Sequence, residues 1–189
     1  MVIMGTVYSY LNRGSRRGRI RGTVKLTKIQ REKDTMDNSP EIDLYWDKIR
    51  NTVDELVACL EGLDSDSLNW KPLDDANSLC VLATHTMGNV RHNFLSILCG
   101  RAITRDRDSE FAAMGESVAE IEAGWNDLQR RISEAIQELP PGDLDRVRDD
   151  PQRGKITGRE LMVIVASHAA EHYGQAQLTR DLAKSRHSG

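Results

Sequence analysis

The chain has 189 residues, a formal net charge of −3, 29% charged residues and only 5% aromatics. That length suits one domain with a real core and is short for two. No apolar run approaches the roughly 18–20 residues that span a bilayer, so no membrane segment is expected and the compartment is read as cytoplasmic.

Charge is unevenly spread. Residues 1–35 carry nine Lys/Arg against Glu32 and Asp34, about +7, and the remainder carries about −10. An acidic body argues against nucleic-acid binding by the folded domain. In residues 1–35 the weakly apolar Met1–Leu11 precedes the Arg/Gly-rich Arg13–Arg21, the reverse of a secretory signal. This segment is read as a disordered basic leader or a non-native upstream extension, with Met36 opening the domain proper, residues 36–186.

The first helix is predicted from Pro40 to about Leu63, with Ser39 as N-cap and Pro40 at the first helical position. Ile42, Trp46, Ile49, Val53, Leu56, Val57 and Leu60 form its apolar stripe at spacings of three and four. Residues 64–77 read as a polar loop in which Leu68 and Trp70 fold back as plugs. A second helix is expected over Ser78–Cys99, apolar around much of its circumference and so buried on several sides. Gly100–Glu110 is a charged crossover. The third helix is predicted over Gly115–Leu139, on a face of Val118, Ile121, Trp125, Leu128, Ile132, Ala135 and Ile136, and Pro140-Pro141-Gly142 stops it. A polar loop leads to a capping box, Thr157-Gly-Arg-Glu160, and a fourth helix to about Lys184. With no strand pattern in evidence, the fold class is all-α, a four-helix bundle.

Four of the five histidines fall in two of these helices. His168 and His172 are four apart, so both imidazoles lie on one face, one turn from each other. Leu161 and Val165 lead that face, which therefore points inward. On the second helix, Val81, Leu82, His85, Asn89, His92 and Ser96 form a polar stripe in apolar surroundings. Each unpaired polar group in a core costs roughly 1–3 kcal/mol, so two facing polar stripes need a compensating partner. A divalent metal bound by His85, His168 and His172, with positions left open, supplies one; mutual hydrogen bonding among the histidines is the plainer alternative. Asn89, His92, Glu171 and Gln175 are candidates for substrate contact or for supporting the ligands from outside. Gly88 and Gly174, in mid-helix near the histidines, are read either as clearance for metal or substrate or as close helix packing.

His-Ala-Ala-Glu-His also matches inverted zinc peptidases, in which the glutamate is general base. Those enzymes need a third protein ligand well downstream, and the 17 residues after His172 hold a single acid, Asp181. The peptidase reading is set aside. Cys59, Cys80 and Cys99 form no CxxC pair and fall in apolar periodic segments, as buried free thiols do. Cys99 as a nucleophile is an alternative that no neighbouring residue favours.

These residues together resemble the DinB-like (DinB/YfiT) superfamily of metal-binding four-helix bundles, over roughly Asp43 to Leu182. The resemblance rests on Trp46, Leu68-Asn-Trp70-Lys-Pro72, Leu82-Ala-Thr-His85, Arg105-Asp-Arg-Asp-Ser-Glu-Phe111 and, most specifically, His168-Ala-Ala-Glu-His172-Tyr-Gly-Gln175. It implies an up-down-down-up bundle with the long connection between helices two and three as crossover. It carries the metal ligands onto His85, His168 and His172, with zinc, nickel, iron or manganese as occupant, and it implies a homodimer. It further implies a thiol-dependent S-transferase or isomerase acting on a small molecule, with bacillithiol, mycothiol or glutathione as cosubstrate. A metal-dependent hydrolase and a non-enzymatic metal- or ligand-binding bundle are the alternatives. Arg91 and Arg180 are candidates to hold a thiol's anionic groups. The leader before Met36, and any role for Asn89 and His92, fall outside the family pattern.

Overall fold

The structure is a computed structural model and describes residues 39–186; the basic leader lies outside the described residues. Four long helical segments carry the core: α1 (Ser39–Ala58), α3 (Leu79–Arg91) with its π-helical continuation (His92–Leu98), α5 (Val118–Gln137) and α6 (Gly158–Arg186). Two short helices, α2 (Ser65–Asn69) and α4 (Arg107–Phe111), lie in the connections. No helix among the described residues is long and apolar enough to cross a membrane.

The apolar stripe of α1 is buried as its periodicity requires: Ile49, Val53, Leu56 and Leu60 have no exposed surface. Trp46 stands edge-on to Phe94, ring centroids 5.1 Å apart, and Trp125 lies 6.1 Å from Trp46. Both indoles are satisfied at their polar end, Trp46 donating to Ser133 Oγ at 3.1 Å and Trp125 to Asp54 Oδ1 at 2.6 Å. These contacts lock α1, α5 and the π-helical segment around one core. A second cluster gathers Leu56, Leu60, Leu68, Leu79, Leu82 and Ile121. Leu68 is the fully buried plug expected of its loop, and Trp70 is half-buried.

The second helix departs from expectation. It does not run as a uniform α-helix to Cys99 but widens to π geometry at His92, with Cys99 N–H reaching back to Phe94 O at 2.9 Å. Asn93 Nδ2 donates to the Asn89 carbonyl at 2.8 Å, the acceptor that its own backbone N–H takes in a regular α-helix. Such side-chain competition loosens the backbone ladder.

The polar loop after the third helix also differs from expectation, for it contains a hairpin. β1 (Val147–Asp150) pairs antiparallel with β2 (Gly154–Thr157), Val147 opposite Thr157 and Asp150 opposite Gly154. Asp150 Oδ1 accepts the turn N–H groups of Gln152 and Arg153 at 2.7 and 2.9 Å, and Gly154 closes the turn at φ 78°. The inward face of β1 is charged: Arg148 donates to the carbonyls of Leu98, Asp143 and Arg146 and pairs with the Asp143 carboxylate.

α6 begins with the expected capping box. Thr157 N–H donates to Glu160 Oε2 at 2.8 Å, and Glu160 N–H to Thr157 Oγ1 at 3.3 Å. Arg159 then clamps Glu41 through two bonds of 2.7 and 2.8 Å, fixing the start of the last helix against the start of the first.

Candidate metal centre

His85 projects from α3, His168 and His172 from α6, and the three rings meet between these helices. Nε2 of His168 lies 3.2 Å from Nε2 of His85 and 3.2 Å from Nε2 of His172. The sequence spacing already places the α6 pair on one face; the packing of α6 on α3 brings the third ring to it.

The outward nitrogens set the tautomers of two rings. Nδ1 of His85 lies 3.0 Å from Glu110 Oε2, and Nδ1 of His172 lies 2.9 Å from Gln175 Oε1. A carboxylate and an amide oxygen are acceptors only, so each Nδ1 carries the proton and each Nε2 presents a lone pair inward. Nδ1 of His168 is buried with no partner among the described residues. Burial, with the neighbouring His172 and His85, depresses His168 to a pKa of about 3. His85 is also lowered: burial dominates, and the Glu110 carboxylate offsets it in part. With Nε2 of His85 and of His172 unprotonated, His168 can donate its own Nε2–H to either of them in the metal-free protein, and a cation taking the place of that proton would meet all three nitrogens at once. The three histidines therefore could hold a metal ion, and their donor set fits one.

Glu110 is the residue the sequence reading missed. It lies on α4, 6% exposed, and Arg105 grips it through Nε–Oε1 and Nη2–Oε2 bonds of 2.8 and 2.7 Å. In the sequence it sits in a run of alternating charge that reads as a solvated crossover. The available signal was Gly88, a glycine in mid-helix that costs up to about 1 kcal/mol relative to alanine. A Cβ at Gly88 would lie 2.1 Å from Glu110 Oε1, so the clearance it gives is for this carboxylate. Gly174, by contrast, faces open space, so close helix packing does not account for it. Phe111, the next residue, lays its ring 4.3 Å from that of His85, and Arg107 sits 5.1 Å over Phe111.

The other candidates are distributed around this centre. Gln175, already bonded to His172, donates to Glu171 at 3.4 Å, and both are exposed. Asn89 is buried and its side-chain oxygen accepts from Asn93 Nδ2 at 3.0 Å. His92 is half-buried with Nδ1 lacking a protein partner, and burial, with Arg105, lowers its pKa. Arg91 and Arg180 line separate cavities. Arg91 borders one of about 650 Å³ beside Glu110, Gly88 and Met87; Arg180 borders one of about 220 Å³ beside Cys59 and Tyr173. Cys59 and Cys80 are buried free thiols, and Cys99 is half-buried with its thiol pushed up to about 11, chiefly by burial.

Fold and site together define a helical bundle whose second and last long helices share a candidate three-histidine metal centre. Residues 48–176, more than half of the chain, match the family model of the DinB superfamily. The chain belongs to the DinB superfamily. It is also similar to the crystal structure of a DinB-like protein from Bacillus cereus ATCC 10987, with a TM-score of 0.58 and 19% identity, over 70% of this chain and 86% of that one. At that identity the likeness is one of fold. No curated protein matches the chain in sequence.

Proposed function

We propose that residues 36–186 form a metal-dependent thiol S-transferase, in which His85, His168 and His172 hold a divalent transition metal (Zn, Ni, Fe or Mn). The observation that carries the metal site is the convergence of three Nε2 atoms while Glu110 and Gln175 hold two of the opposite Nδ1–H groups outward. The transferase class rests on the family resemblance. Such an ion, held by neutral ligands with positions left open, lowers the pKa of a bound thiol or water.

The chain's own residues contribute orientation and exclusion. Glu110 and Gln175 keep the imidazoles in the ligating tautomer. Phe111 shields one face of His85 from water. Asn89, His92, Glu171 and Gln175 are the residues proposed to touch substrate or steady the ligands. The substrates are a low-molecular-weight thiol of the bacillithiol, mycothiol or glutathione type and a small electrophile; the thiol loses its proton, the sulfur forms a C–S bond at the electrophilic carbon, and the bond from that carbon to its leaving group breaks, the leaving group departing with the electron pair and taking up a proton. A homodimer and a cytoplasmic location complete the proposal.

Elemental analysis of wild-type protein and of His168→Ala tests the site: about one transition-metal ion per chain is expected, and its loss in the variant. Turnover of electrophiles only in the presence of a thiol supports the transferase. Turnover through water alone assigns a hydrolase instead, and metal binding without turnover under either condition assigns a binding bundle.

A further inference from the structure

We infer that Glu110, Arg105 and Gly88 form a positioning unit that sets the tautomer of His85, and through it the metal affinity of the site. The inference rests on the three-histidine reading above. His85 is the one ligand contributed by α3, and Glu110 Oε2 lies 3.0 Å from its Nδ1. The carboxylate is gripped by Nε and Nη2 along one edge of the Arg105 guanidinium, so neither of its oxygens is free to turn away.

Gly88 supplies the third condition. It lies one turn from His85 on α3, and the Glu110 side chain passes where a Cβ would stand: Oε1, Cδ and Oε2 would be 2.1, 2.4 and 3.0 Å from it. Any other residue at position 88 would push the carboxylate off His85. The glycine carries no positive φ, so its requirement is space rather than backbone freedom. A helix otherwise favours alanine at such a position. α4 and the crossover are thus a part of the site, delivering the acceptor for His85 as Gln175 on α6 does for His172.

The unit makes a specific prediction about Glu110→Leu. The substitution keeps the approximate size and removes the acceptor that Nδ1 of His85 uses. The ring is then favoured with its proton on Nε2, where His168 can accept it, the wrong nitrogen for a ligand. Gly88→Ala displaces the carboxylate without altering its chemistry and leaves the helix intact. Two readouts are needed. ¹⁵N NMR of the imidazoles in metal-free protein reports the His85 tautomer directly, and competition titration with Zn²⁺ reports affinity.

We expect both variants to remain folded by circular dichroism, to shift the His85 nitrogen signals, and to bind Zn²⁺ roughly 10–100-fold more weakly. The double variant should be no weaker than the weaker single, since Gly88 acts only through Glu110. A wild-type tautomer with unchanged Zn²⁺ affinity in Glu110→Leu overturns the inference, as does multiplication of the two losses in the double variant. If wild-type protein binds no Zn²⁺, the metal reading fails, and the tautomer of the metal-free protein still decides the Glu110–His85 relation.

Discussion

Nε2 of His168 faces Nε2 of His172 at 3.2 Å across one turn of α6, with the rings nearly perpendicular at 87°. Gln175 holds the His172 proton on Nδ1, so the contact between the two rings is a hydrogen bond only when His168 donates from Nε2, which leaves its buried Nδ1 an acceptor with no partner among the described residues. One shared proton satisfies a single Nε2 lone pair, whereas a cation would engage both.

Replacing either residue should therefore affect metal more than fold. His168→Ala and His172→Ala are expected to abolish tight metal binding while far-ultraviolet circular dichroism stays near wild type, because the core of Trp46, Phe94 and Trp125 supplies the packing. Retention of wild-type metal content in both variants would sink the ligand assignment.

Acid should weaken the metal-free protein through His168. In an unfolded chain a histidine takes its proton near pH 6.5, whereas the folded His168 resists down to about pH 3. Between these limits the unfolded state binds more protons, so stability rises with pH there. The contribution is complete above about pH 6.5 and is lost as pH falls towards 3. Urea midpoints of metal-free wild type and His168→Gln at pH 7, 5.5 and 4.5 check this: the wild type should fall more steeply.

Cys99 should be a poor nucleophile. With its thiol pushed up to about 11 it is almost wholly protonated at neutral pH. Alkylation by iodoacetamide at pH 7.5, followed by intact-mass spectrometry, should be much slower than for free cysteine. A rate matching or exceeding that of the free amino acid would restore the nucleophile reading.

Gly158 joins the hairpin to α6 under Leu144. A Cβ there would stand 2.9 Å from Leu144 Cα and 3.0 Å from its carbonyl oxygen, and backbone yields less readily than a side-chain tip. Gly158→Ala should destabilise the fold by about 1–3 kcal/mol, measured by denaturant unfolding. An unchanged midpoint would show that the single 3₁₀ turn at Asp143–Asp145 moves freely, contrary to its anchoring by Arg148.

The features that follow from periodicity are those the sequence displays best. Ile42, Trp46, Ile49 and Val53 repeat at helical spacing, and His168 and His172 share a face for the same reason. What periodicity hides is structure built from charged residues. The buried side of β1 is Arg148 and Asp150, so the alternation that marks a half-buried strand is absent, and the segment passes for a polar loop. Glu110 is concealed in the same way, because only Arg105 and His85 make a carboxylate at home in the interior. The π-helical widening is accompanied by an Asn93 side-chain bond to the Asn89 carbonyl, and neither leaves a trace in the apolar pattern.

The three candidate ligands come from distant parts of the sequence: His85 and His168 are 83 residues apart, and His168 and His172 both belong to α6. During synthesis the first imidazole waits, alone, for nearly the whole domain to be made. Half a site binds a metal only weakly, so a tightly held ion would mark a chain whose C-terminal helix has docked. Occupancy would then serve as a certificate of completed folding, withheld from truncated chains and withdrawn when α6 peels away.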